Sequence, residues 1–397
     1  PTLPLIPHFP PTPRTSAPPL RLTLTPPPPP FLPRRYQSFN NADELAKAVR
    51  EKLPAKIDIG PVYNVDPAAR KSYSNFEAVE RELVFDIDLT DYDDVLNFDL
   101  DGGWARCWPL MAGAVQVLDR ALREDFGFRH LLWVFSGRRG IHCWVSDRRA
   151  RQLTDEARRA LAGYLQLWKG EEGGKIKVRL SDPLHPAAGR ASEVLHRVWE
   201  QEILPQQQIL EEPKTMEKVL SHIPSEFSYL ADELRESWDK GRGRGSGGGN
   251  VSTDRWQQFV RKLGKAEASA SSKAQKRALK LCKHQVVFGF IYPRLDDEVS
   301  KKRNHLLKAP FCVHPKTGKV CVPFDPAKAF EFDPDTVPTA ASLLNELDAK
   351  GGDNWKDTCL AESVDILERM LEGLARENAK DFADLARVEA NRPTVEF

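Results

Sequence analysis

The segment LVFDIDLTDYDDV, residues 83–95, limits what this chain can fold into more than any other stretch. It alternates like a half-buried β-strand, yet Asp86 and Asp88 stand inside the apolar run and three more aspartates follow. Burying carboxylates is costly unless a cation or a hydrogen-bond donor compensates for the lost water. Alternation along a strand predicts one face of Val84, Asp86 and Asp88 and an opposite, buried face of Phe85, Ile87 and Leu89.

The spacing of Asp86 and Asp88 suits a divalent cation. Two carboxylates about 7 Å apart on one strand face repel each other unless a cation lies between them. Mg²⁺ binds through one or two carboxylates together with phosphate oxygens, and paired metal ions of this kind catalyse phosphoryl or nucleotidyl transfer. The alternative is that both aspartates only line a solvated strand face or a turn. The pattern alone does not separate these two interpretations.

A second cluster lies in SGRRGIHCW, residues 136–144, where the apolar runs HLLWVFS and IHCWVSD flank GRRG as in a β-hairpin. It groups Ser136, Arg138, Arg139 and His142 around a turn framed by glycines. Guanidinium forks match phosphate oxygens, and a glycine turn lets backbone N–H groups approach an anion closely. The cluster therefore indicates a phosphate-binding turn.

A third cluster lies in PRLDDEVSKKRNHLLKAPFCVHPKTGK, residues 293–319, and supplies another acid, Asp296, followed by Lys308 and His314. Each of these residues has a plain structural alternative. Asp296 could cap a helix, Lys308 could be a solvated cation, and His314 could be one surface histidine among nine.

Charge and cysteine content exclude some classes of protein. The net charge of the 397-residue chain is +1, so any contact with nucleic acid must come from local patches and not from a global positive field. The six cysteines form no CxxC pair, which suits a reducing compartment. No apolar run approaches the roughly 18 residues that span a bilayer, so we expect a soluble protein without a membrane partner.

The pattern along the chain predicts a mixed α/β fold of the α+β class. Residues 1–33 hold 14 of the 31 prolines and are expected to form a disordered tail. A core is predicted in two parts, 34–189 and 283–335, separated by a helical insertion at 190–282 with a glycine-rich loop at 240–250. Asn40 or Asn41 and Thr154 are candidate helix N-caps. HQVVFGFIYPRLD is strand-like, and residues 336–397 are expected to be helical.

Several stretches together resemble the small, catalytic subunit of the eukaryotic DNA primases, which belong to the archaeo-eukaryotic primase superfamily. They are RYQSFNN, KIDIG.VY, LVFDID.TDYDDV, DRAL.EDFGF.H.LWV.SGRRG.HCWV.D, PRLD..VSK..NHLLK.PF.VHPKTG and VP.D. The resemblance covers residues 34–180 and 285–330 and is looser in the insertion and in the C-terminal helices.

The resemblance implies a primase-type catalytic core of strands with flanking helices, and a DNA-directed RNA polymerase activity that begins RNA primers without a primer. It implies that Asp86, Asp88 and Asp296 are catalytic and hold two Mg²⁺ or Mn²⁺ ions. The residues that it assigns to nucleotide binding are Arg35, Lys56, Ser136, Arg138, Arg139, His142, Lys308 and His314.

The same resemblance implies partners and a place of action. Family members form a heterodimer with a large subunit that bears an iron–sulfur cluster, and this heterodimer joins the DNA polymerase alpha complex in the nucleus. Single-stranded DNA would be the template and nucleoside triphosphates the substrates. This chain has no iron–sulfur cysteine pattern, which is consistent with that cofactor belonging to the partner.

The chain departs from the family pattern in two places. Family members carry a zinc site of four cysteines soon after TDYDDV, but here only Cys107 remains, and one thiolate cannot make a tetrahedral site. We therefore expect the zinc site to be lost or only partial, because Cys143 is expected to lie in the core. The proline-rich segment also replaces an acidic family motif that precedes RYQSF.

Two other functions stay open at this point. The chain could be a catalytically impaired scaffold subunit of the primase–polymerase alpha complex, although the presence of all three acids favours the enzyme. It could also be a primase-polymerase relative that makes DNA, although such relatives lack the extended DRAL.EDFGF and NHLLK.PF.VHPKTG matches.

Overall fold

The computed structural model describes residues 20–25, 34–97, 104–172, 175–240, 249–352 and 354–390. Its strands are β1 (Leu20–Thr25), β2 (Arg34–Phe39), β3 (Lys56–Ile59), β4 (Val62–Tyr63), β5 (Ala78–Glu80), β6 (Leu83–Asp88), β7 (Leu131–Phe135), β8 (Gly140–Val145), β9 (Trp168–Glu172), β10 (Lys175–Val178), β11 (Leu307–Lys308) and β12 (Pro323–Phe324).

The helices of the described residues surround these strands. They are α1 (Ala42–Lys52), α2 (Trp104–Glu124), α3 (Arg148–Arg151), α4 (Asp155–Leu165), α5 (Pro186–Val198), α6 (Leu204–Gln207), α7 (Pro213–Leu220), α8 (Tyr229–Lys240), α9 (Val251–Ser269), α10 (Lys273–Ile291), α11 (Asp297–Lys301), α12 (Ala340–Lys350) and α13 (Ala361–Ala390). None of the described helices is long and apolar enough to cross a membrane. The mixed α+β prediction is confirmed.

The central sheet has the strand order β12-β7-β8-β6 and is antiparallel throughout. Strands β7 and β8 form the predicted hairpin. In the register of β6 against β8, Asp86 lies opposite His142 and Asp88 lies opposite Gly140. The acidic strand and the basic turn are therefore direct neighbours, although they are about 50 residues apart in sequence.

The two faces of the central sheet are buried against different layers. One face packs in the main core with α2, whose Asp119 accepts a hydrogen bond from Trp133 Nε1 (2.9 Å). This face carries Phe85, Ile87, Trp133, Phe135, Ile141 and Cys143. The other face carries Val84, Leu132, Val134 and Trp144, which form a smaller core with Leu307, Cys321 and residues of α13. The predicted alternation along β6 is confirmed, because Asp86 and Asp88 lie on the face of Val84.

A second antiparallel sheet covers this smaller core, with the strand order β11-β3-β1-β2. Ile57 and Ile59 of β3 pack against the smaller core, and Lys308 of β11 is in register with Asp58 of β3. The polar side of the central sheet therefore faces a second sheet that carries basic residues. This arrangement creates the cleft in which the candidate site lies.

Local sequence signals account for several helix starts. The Asn41 side chain accepts a hydrogen bond from the backbone N–H of Glu44 (2.9 Å) and caps α1, and Thr154 accepts one from Ala157 and caps α4. The insertion is helical from α5 to α10. Its glycine-rich loop lies largely outside the described residues, at 241–248.

Two local predictions differ from the structure. HQVVFGFI is not strand-like but forms the last two turns of α10, which crosses the predicted boundary at residue 282. Periodicity cannot separate a short apolar strand from a helix that is buried on all sides, and residues 286–291 are all buried. In the proline-rich tail, Leu20–Thr25 forms a strand that pairs with β2 and β3. Its LRLTLT pattern alternates and has no proline, while residues 1–19 and 26–33 lie outside the described residues.

Candidate active site

The three predicted acids converge at one end of the central sheet. Asp86 and Asp88 lie on the same face of β6, and the backbone N–H of Asp296 donates to the carbonyl oxygen of Asp86 (3.0 Å). That hydrogen bond joins two segments 210 positions apart in the chain. Ser300, on the helix that follows Asp296, donates from Oγ to the carbonyl of Val84 (2.8 Å) and fixes the same segment to β6.

Electrostatic repulsion among the acids is strong enough to perturb their protonation. Burial, together with the carboxylates of Asp88 and Asp296, raises the pKa of Asp86 to about 7, and Lys308 acts in the opposite direction. Burial and the same two neighbours raise the pKa of Asp91. A group of carboxylates that resists full ionisation is a group that a cation would stabilise.

The plain structural alternatives for Asp88 and Asp296 describe part of what these residues do. Asp88 Oδ1 accepts from the N–H and the hydroxyl of Thr90 (2.9 and 2.8 Å). Asp296 Oδ1 accepts from the N–H of Glu298 (3.0 Å) and caps α11. Each of these bonds uses Oδ1, so both carboxylates are held in place by their own backbone.

The chemistry of this donor set fits a divalent metal ion. Within the described part of the chain, no hydrogen-bond donor reaches the Asp86 carboxylate, and the nearest ring nitrogen, Nε2 of His142, is 3.6 Å from Oδ1. Carboxylate oxygens held on a rigid strand and on a helix cap are ligands that Mg²⁺ and Mn²⁺ prefer. The residues that could hold such ions are Asp86, Asp88 and Asp296.

The turn between β7 and β8 lies beside these acids. Ser136 Oγ accepts from the N–H of Gly140 (3.0 Å), and the carbonyl of Arg139 accepts from the N–H of Leu89 (2.9 Å), directly after Asp88. Gly137 has a φ of 86°, and a Cβ there would lie 2.7 Å from the Cβ of His314. Only glycine allows His314 to approach the turn this closely.

Lys308 joins the second sheet to this turn. Its Nζ donates to the carbonyl of Ser136 (2.9 Å), and burial lowers its pKa. Burial and the positive charges of Lys308 and Lys56 lower the pKa of His142 to about 3. His142 is therefore neutral at pH 7, and one of its ring nitrogens carries a proton that can be donated.

His314 and Lys56 complete the basic side of the cleft. Burial and the positive charges of Lys308 and Arg138 lower the pKa of His314 to about 4. Lys56 Nζ lies 2.9 Å from Asp58 Oδ1. Neither His314 nor Lys308 is the fully solvated side chain that the plain alternative describes.

The side chains of two predicted nucleotide-binding arginines, Arg139 and Arg35, make few contacts among the described residues. Among the described residues, no hydrogen-bond partner is found for the buried Nε of Arg139, so this guanidinium keeps a donor free. Arg35 is exposed on β2, and no contact joins it to the acids in the described residues. The structure thus brings the other predicted residues together and leaves Arg35 at the margin.

Sequence reasoning missed two acids of the cleft, Asp91 and Asp58. Asp91 interacts electrostatically with Asp86, Asp88 and Asp296. Its signal was its position in the same aspartate run, but the turn after β6 decides which of those aspartates faces the site. Asp58 is buried between Lys56 and Lys308, and its signal was the acid inside the alternating KIDIG strand.

The cysteine predicted as the remnant of a zinc site is part of the core. Cys107 lies on α2, is fully buried and contacts the amide Nε2 of Gln207 (3.6 Å). Cys143 is fully buried on β8, as predicted. Residues 98–103, which precede Cys107, lie outside the described residues.

A second group of metal-ligating type was not predicted. Ligand atoms of His130, Asp147 and Glu377 lie within 4.8 Å of one another. Asp147 accepts from the backbone N–H groups of Arg129 and His130 (both 2.9 Å), and His130 Nε2 lies 2.5 Å from Glu377 Oε2. The group is internally hydrogen-bonded and anchors α13 to the start of β7. The 247 positions between His130 and Glu377 hide it from sequence patterns.

The raised pKa of Asp86 predicts a pH-dependent stability of the metal-free protein. The pKa of Asp86 in the folded protein (about 7) is higher than in the unfolded chain. The protonated carboxyl therefore contributes its full stabilisation of the fold below about pH 4, and this contribution is lost as the pH rises through 7. The variant Asp86→Asn cannot ionise, so at pH 7 it should be the more stable protein, by up to about 4 kcal/mol.

Urea denaturation in the presence of a chelator, at several pH values, measures this difference. Histidines with lowered pKa values, such as His142 and His314, act in the opposite direction over the same range. The quantity to follow is therefore the stability of Asp86→Asn minus that of the wild type. A constant difference from pH 4 to pH 7 would contradict the raised pKa.

Comparisons with known proteins agree with the geometry. The family model "DNA primase small subunit" matches residues 85–326. The chain is 40% identical over 319 residues to the DNA primase small subunit of Schizosaccharomyces pombe, covering 79% of this chain and 68% of that protein. It is 41% identical over 320 residues to the DNA primase small subunit of Drosophila melanogaster, covering 79% and 72%.

Among solved structures, the polymerase domain from Mycobacterium tuberculosis ligase D in complex with DNA aligns with a TM-score of 0.34 at 13% identity. The alignment covers 86% of this chain and 85% of that chain, and the likeness is too weak to bear on function.

Proposed function

Because the chain belongs to the family of DNA primase small subunits, we propose that it is a catalytic nucleotidyltransferase that makes short RNA primers on single-stranded DNA. The observation that carries this proposal is the convergence of Asp86, Asp88 and Asp296 opposite the basic cleft residues Lys308 and Lys56. Local hydrogen bonds account for part of the roles of Asp88 and Asp296, but they do not account for three mutually repelling carboxylates in one place.

The acids would hold two divalent ions, Mg²⁺ or Mn²⁺. When bound, such ions lower the pKa of the attacking 3′-hydroxyl and neutralise the leaving pyrophosphate. The contribution of the chain is to fix the positions of the carboxylates: a strand holds Asp86 and Asp88, and a backbone hydrogen bond holds Asp296 against that strand. The reacting nucleophile is the hydroxyl of a nucleotide and not a side chain.

The turn and the second sheet would bind the incoming nucleoside triphosphate. Lys308, Arg138 and Arg139 offer positive charge for the phosphate oxygens. His142 and His314 are neutral at pH 7 because of their lowered pKa values, so they donate hydrogen bonds without adding charge. Ser136, Lys56 and Arg35 are proposed as further contacts.

Partners and location follow from the family only. We propose a large subunit that bears an iron–sulfur cluster as the partner in a heterodimer, association with the DNA polymerase alpha complex, and action in the nucleus during replication. The near-neutral net charge supports a template affinity that depends on such partners and on local patches.

The direct test is synthesis of dinucleotides and short RNA from nucleoside triphosphates on a single-stranded DNA oligonucleotide, with Mn²⁺ or Mg²⁺ as the only divalent ion. We expect products that require the template and the metal. A folded, monodisperse protein that makes none, with its large subunit present, would favour the scaffold alternative. Products that form only from deoxynucleotides would favour the DNA-making relative.

A phosphate contact from Arg139 predicts a change in nucleotide affinity. Arg139→Ala should weaken binding of a nucleoside triphosphate about 10- to 100-fold, the range of a lost charge-assisted hydrogen bond. Arg159→Ala, which removes an exposed arginine of α4 that pairs with Glu156, is the matched control. Fluorescence titration with a labelled nucleotide measures both variants. Equal affinities of the two variants would exclude the phosphate role.

A further inference from the structure

An aromatic cluster next to Arg35 has no role in the chemistry described above. Tyr63 and Phe76 are stacked, with ring centroids 4.1 Å apart and planes at 16°. Tyr36 lies at 6.2 and 6.0 Å from them at tilted angles, and the guanidinium of Arg70 lies 4.2 Å above the Tyr36 ring. We call these four residues the aromatic platform.

The aromatic platform is partly open to solvent. Tyr36 is 36% exposed, and Tyr73, at the end of the same short helical turn that carries Arg70, is 52% exposed. Tyr63 and Phe76 are half-buried. Large side chains of this kind stabilise a fold most when they are buried, so a grouped and exposed set indicates a binding surface.

The backbone at Tyr36 is strained, and the strain lies at a bulge that directs side chains towards the aromatic platform. Tyr36 has a φ of 60°, in the left-handed region, at a cost of about 1–3 kcal/mol for a residue other than glycine. The register of β1 and β2 shifts here, because Leu22 faces Gln37 whereas Leu24 faces Arg34. Arg35 and Tyr36 thus form a β-bulge, a feature that turns side chains out of the regular alternation.

The charges around the aromatic platform favour an anionic ligand. Arg34, Arg35 and Lys71 are exposed at its edge, and Arg70 covers one ring. Of the nearby acids, Asp66 is engaged by the hydroxyl of Ser38 and by the N–H of Ala68 (both 3.0 Å). Rings interleaved with cations are the surface that single-stranded nucleic acid uses, with bases on the rings and phosphates on the cations.

The aromatic platform is carried by strands that adjoin those of the candidate active site. Strand β3, which carries Lys56 of the cleft, is followed directly by β4, which carries Tyr63, and the buried Arg81 guanidinium lies 5.2 Å above the Trp144 ring. Trp144 and His142 are two residues apart on the same face of β8, about 7 Å along the strand. Tyr63 and Tyr36 of the aromatic platform therefore lie on the same segments of the chain as Lys56 and Arg35.

We infer that the aromatic platform stacks unpaired bases of the single-stranded DNA template next to the site of synthesis. The inference rests on the proposed function for the identity of the strand. Stacking tolerates every base, as copying an arbitrary template requires, whereas hydrogen-bond readout would not. In this inference, the left-handed backbone conformation of Tyr36 has a function: the bulge lets Arg35 and Tyr36 contact two neighbouring groups of the ligand.

The test measures the affinity of the purified chain for a fluorescent oligodeoxythymidine by anisotropy. Tyr36→Gly removes the ring and also relieves the backbone strain, so it should fold at least as well as the wild type. It should bind the oligonucleotide about 5- to 100-fold more weakly. Tyr36→Trp should retain the affinity. Tyr229→Ala, at a more exposed tyrosine of α8 (50%), should change nothing.

Nucleotide binding separates this inference from its alternatives. We expect Tyr36→Gly and Phe76→Ala to leave the affinity for a nucleoside triphosphate unchanged. An equal loss of nucleotide affinity would assign the rings to the incoming base, and an unchanged oligonucleotide affinity in folded Tyr36→Gly would exclude any stacking role. The experiment measures binding, so the stacking inference is tested independently of whether the chain makes RNA.

Discussion

Replacing Asp86 or Asp88 with alanine should abolish RNA synthesis while leaving the protein folded. Both carboxylates face the cleft, and the electrostatic repulsion between them contributes to the raised pKa of Asp86. Removing either one would delete a proposed metal ligand but relieve that repulsion. Metal ions supply several kcal/mol of transition-state stabilisation, so the rate should fall by at least about a thousandfold.

The same aspartate run offers a matched control. Asp93 is exposed, and Asp93→Ala should keep wild-type activity. Primer synthesis and urea denaturation are measured on all three variants. An active Asp86→Ala, Asp88→Ala double variant would show that these acids do not hold the catalytic ions. Inactivity that comes with unfolding would show that their role is structural.

Replacing Arg294 with alanine should have the largest effect on stability. Arg294 is almost completely buried and donates to the carbonyls of Asp91 (2.5 Å) and Gly289 (3.1 Å) and to the carboxylate of Asp94. Its guanidinium also lies 4.4 Å above the Trp168 ring. Removing the buried guanidinium leaves two carbonyls without this donor and the half-buried Asp94 carboxylate without this cation, which together cost about 3–5 kcal/mol.

The loss of the Arg294 side chain should also affect the active site. Arg294 stands two residues before Asp296 and holds the turn after Asp88, so it ties the two distant acidic segments together. Arg294→Ala should therefore weaken Mn²⁺ binding, and Arg294→Lys should recover only part of the stability, because lysine lacks the planar fork.

Thermal and urea denaturation, with Mn²⁺ titration of the folded fraction, measure these effects. Arg277→Ala, at an exposed arginine of α10, is the control and should change the free energy of unfolding by less than about 0.5 kcal/mol. An Arg294→Ala variant as stable as this control would contradict the linking role.

Local sequence patterns predicted the elements that carry the site. The alternation in LVFDID predicted which side of β6 is buried, because the two-residue period of a strand leaves no choice once one face is apolar. The glycines of GRRG predicted a turn between β7 and β8. In both cases the residues that determine the local structure lie within about ten positions of one another, so the prediction does not require knowledge of tertiary contacts.

Tertiary contacts decided the features that sequence could not supply. HQVVFGFI is helical because its surroundings bury every side of it, which overrides the β-propensity of its residues. The convergence of Asp296 on Asp86 depends on one long-range backbone hydrogen bond, and only the family resemblance anticipated it. The bulge at Tyr36 depends on pairing with β1, a strand that the proline content of its surroundings concealed.

The central claim is that Asp86, Asp88 and Asp296 together bind paired divalent ions beside a bound triphosphate. The most direct measurement is a crystal structure with Mn²⁺ and a non-hydrolysable nucleoside triphosphate, with anomalous scattering used to locate manganese. We predict two manganese peaks in contact with these three carboxylates and with the phosphates. Manganese found only at His130, Asp147 and Glu377, with nothing bound at the three aspartates, would contradict it.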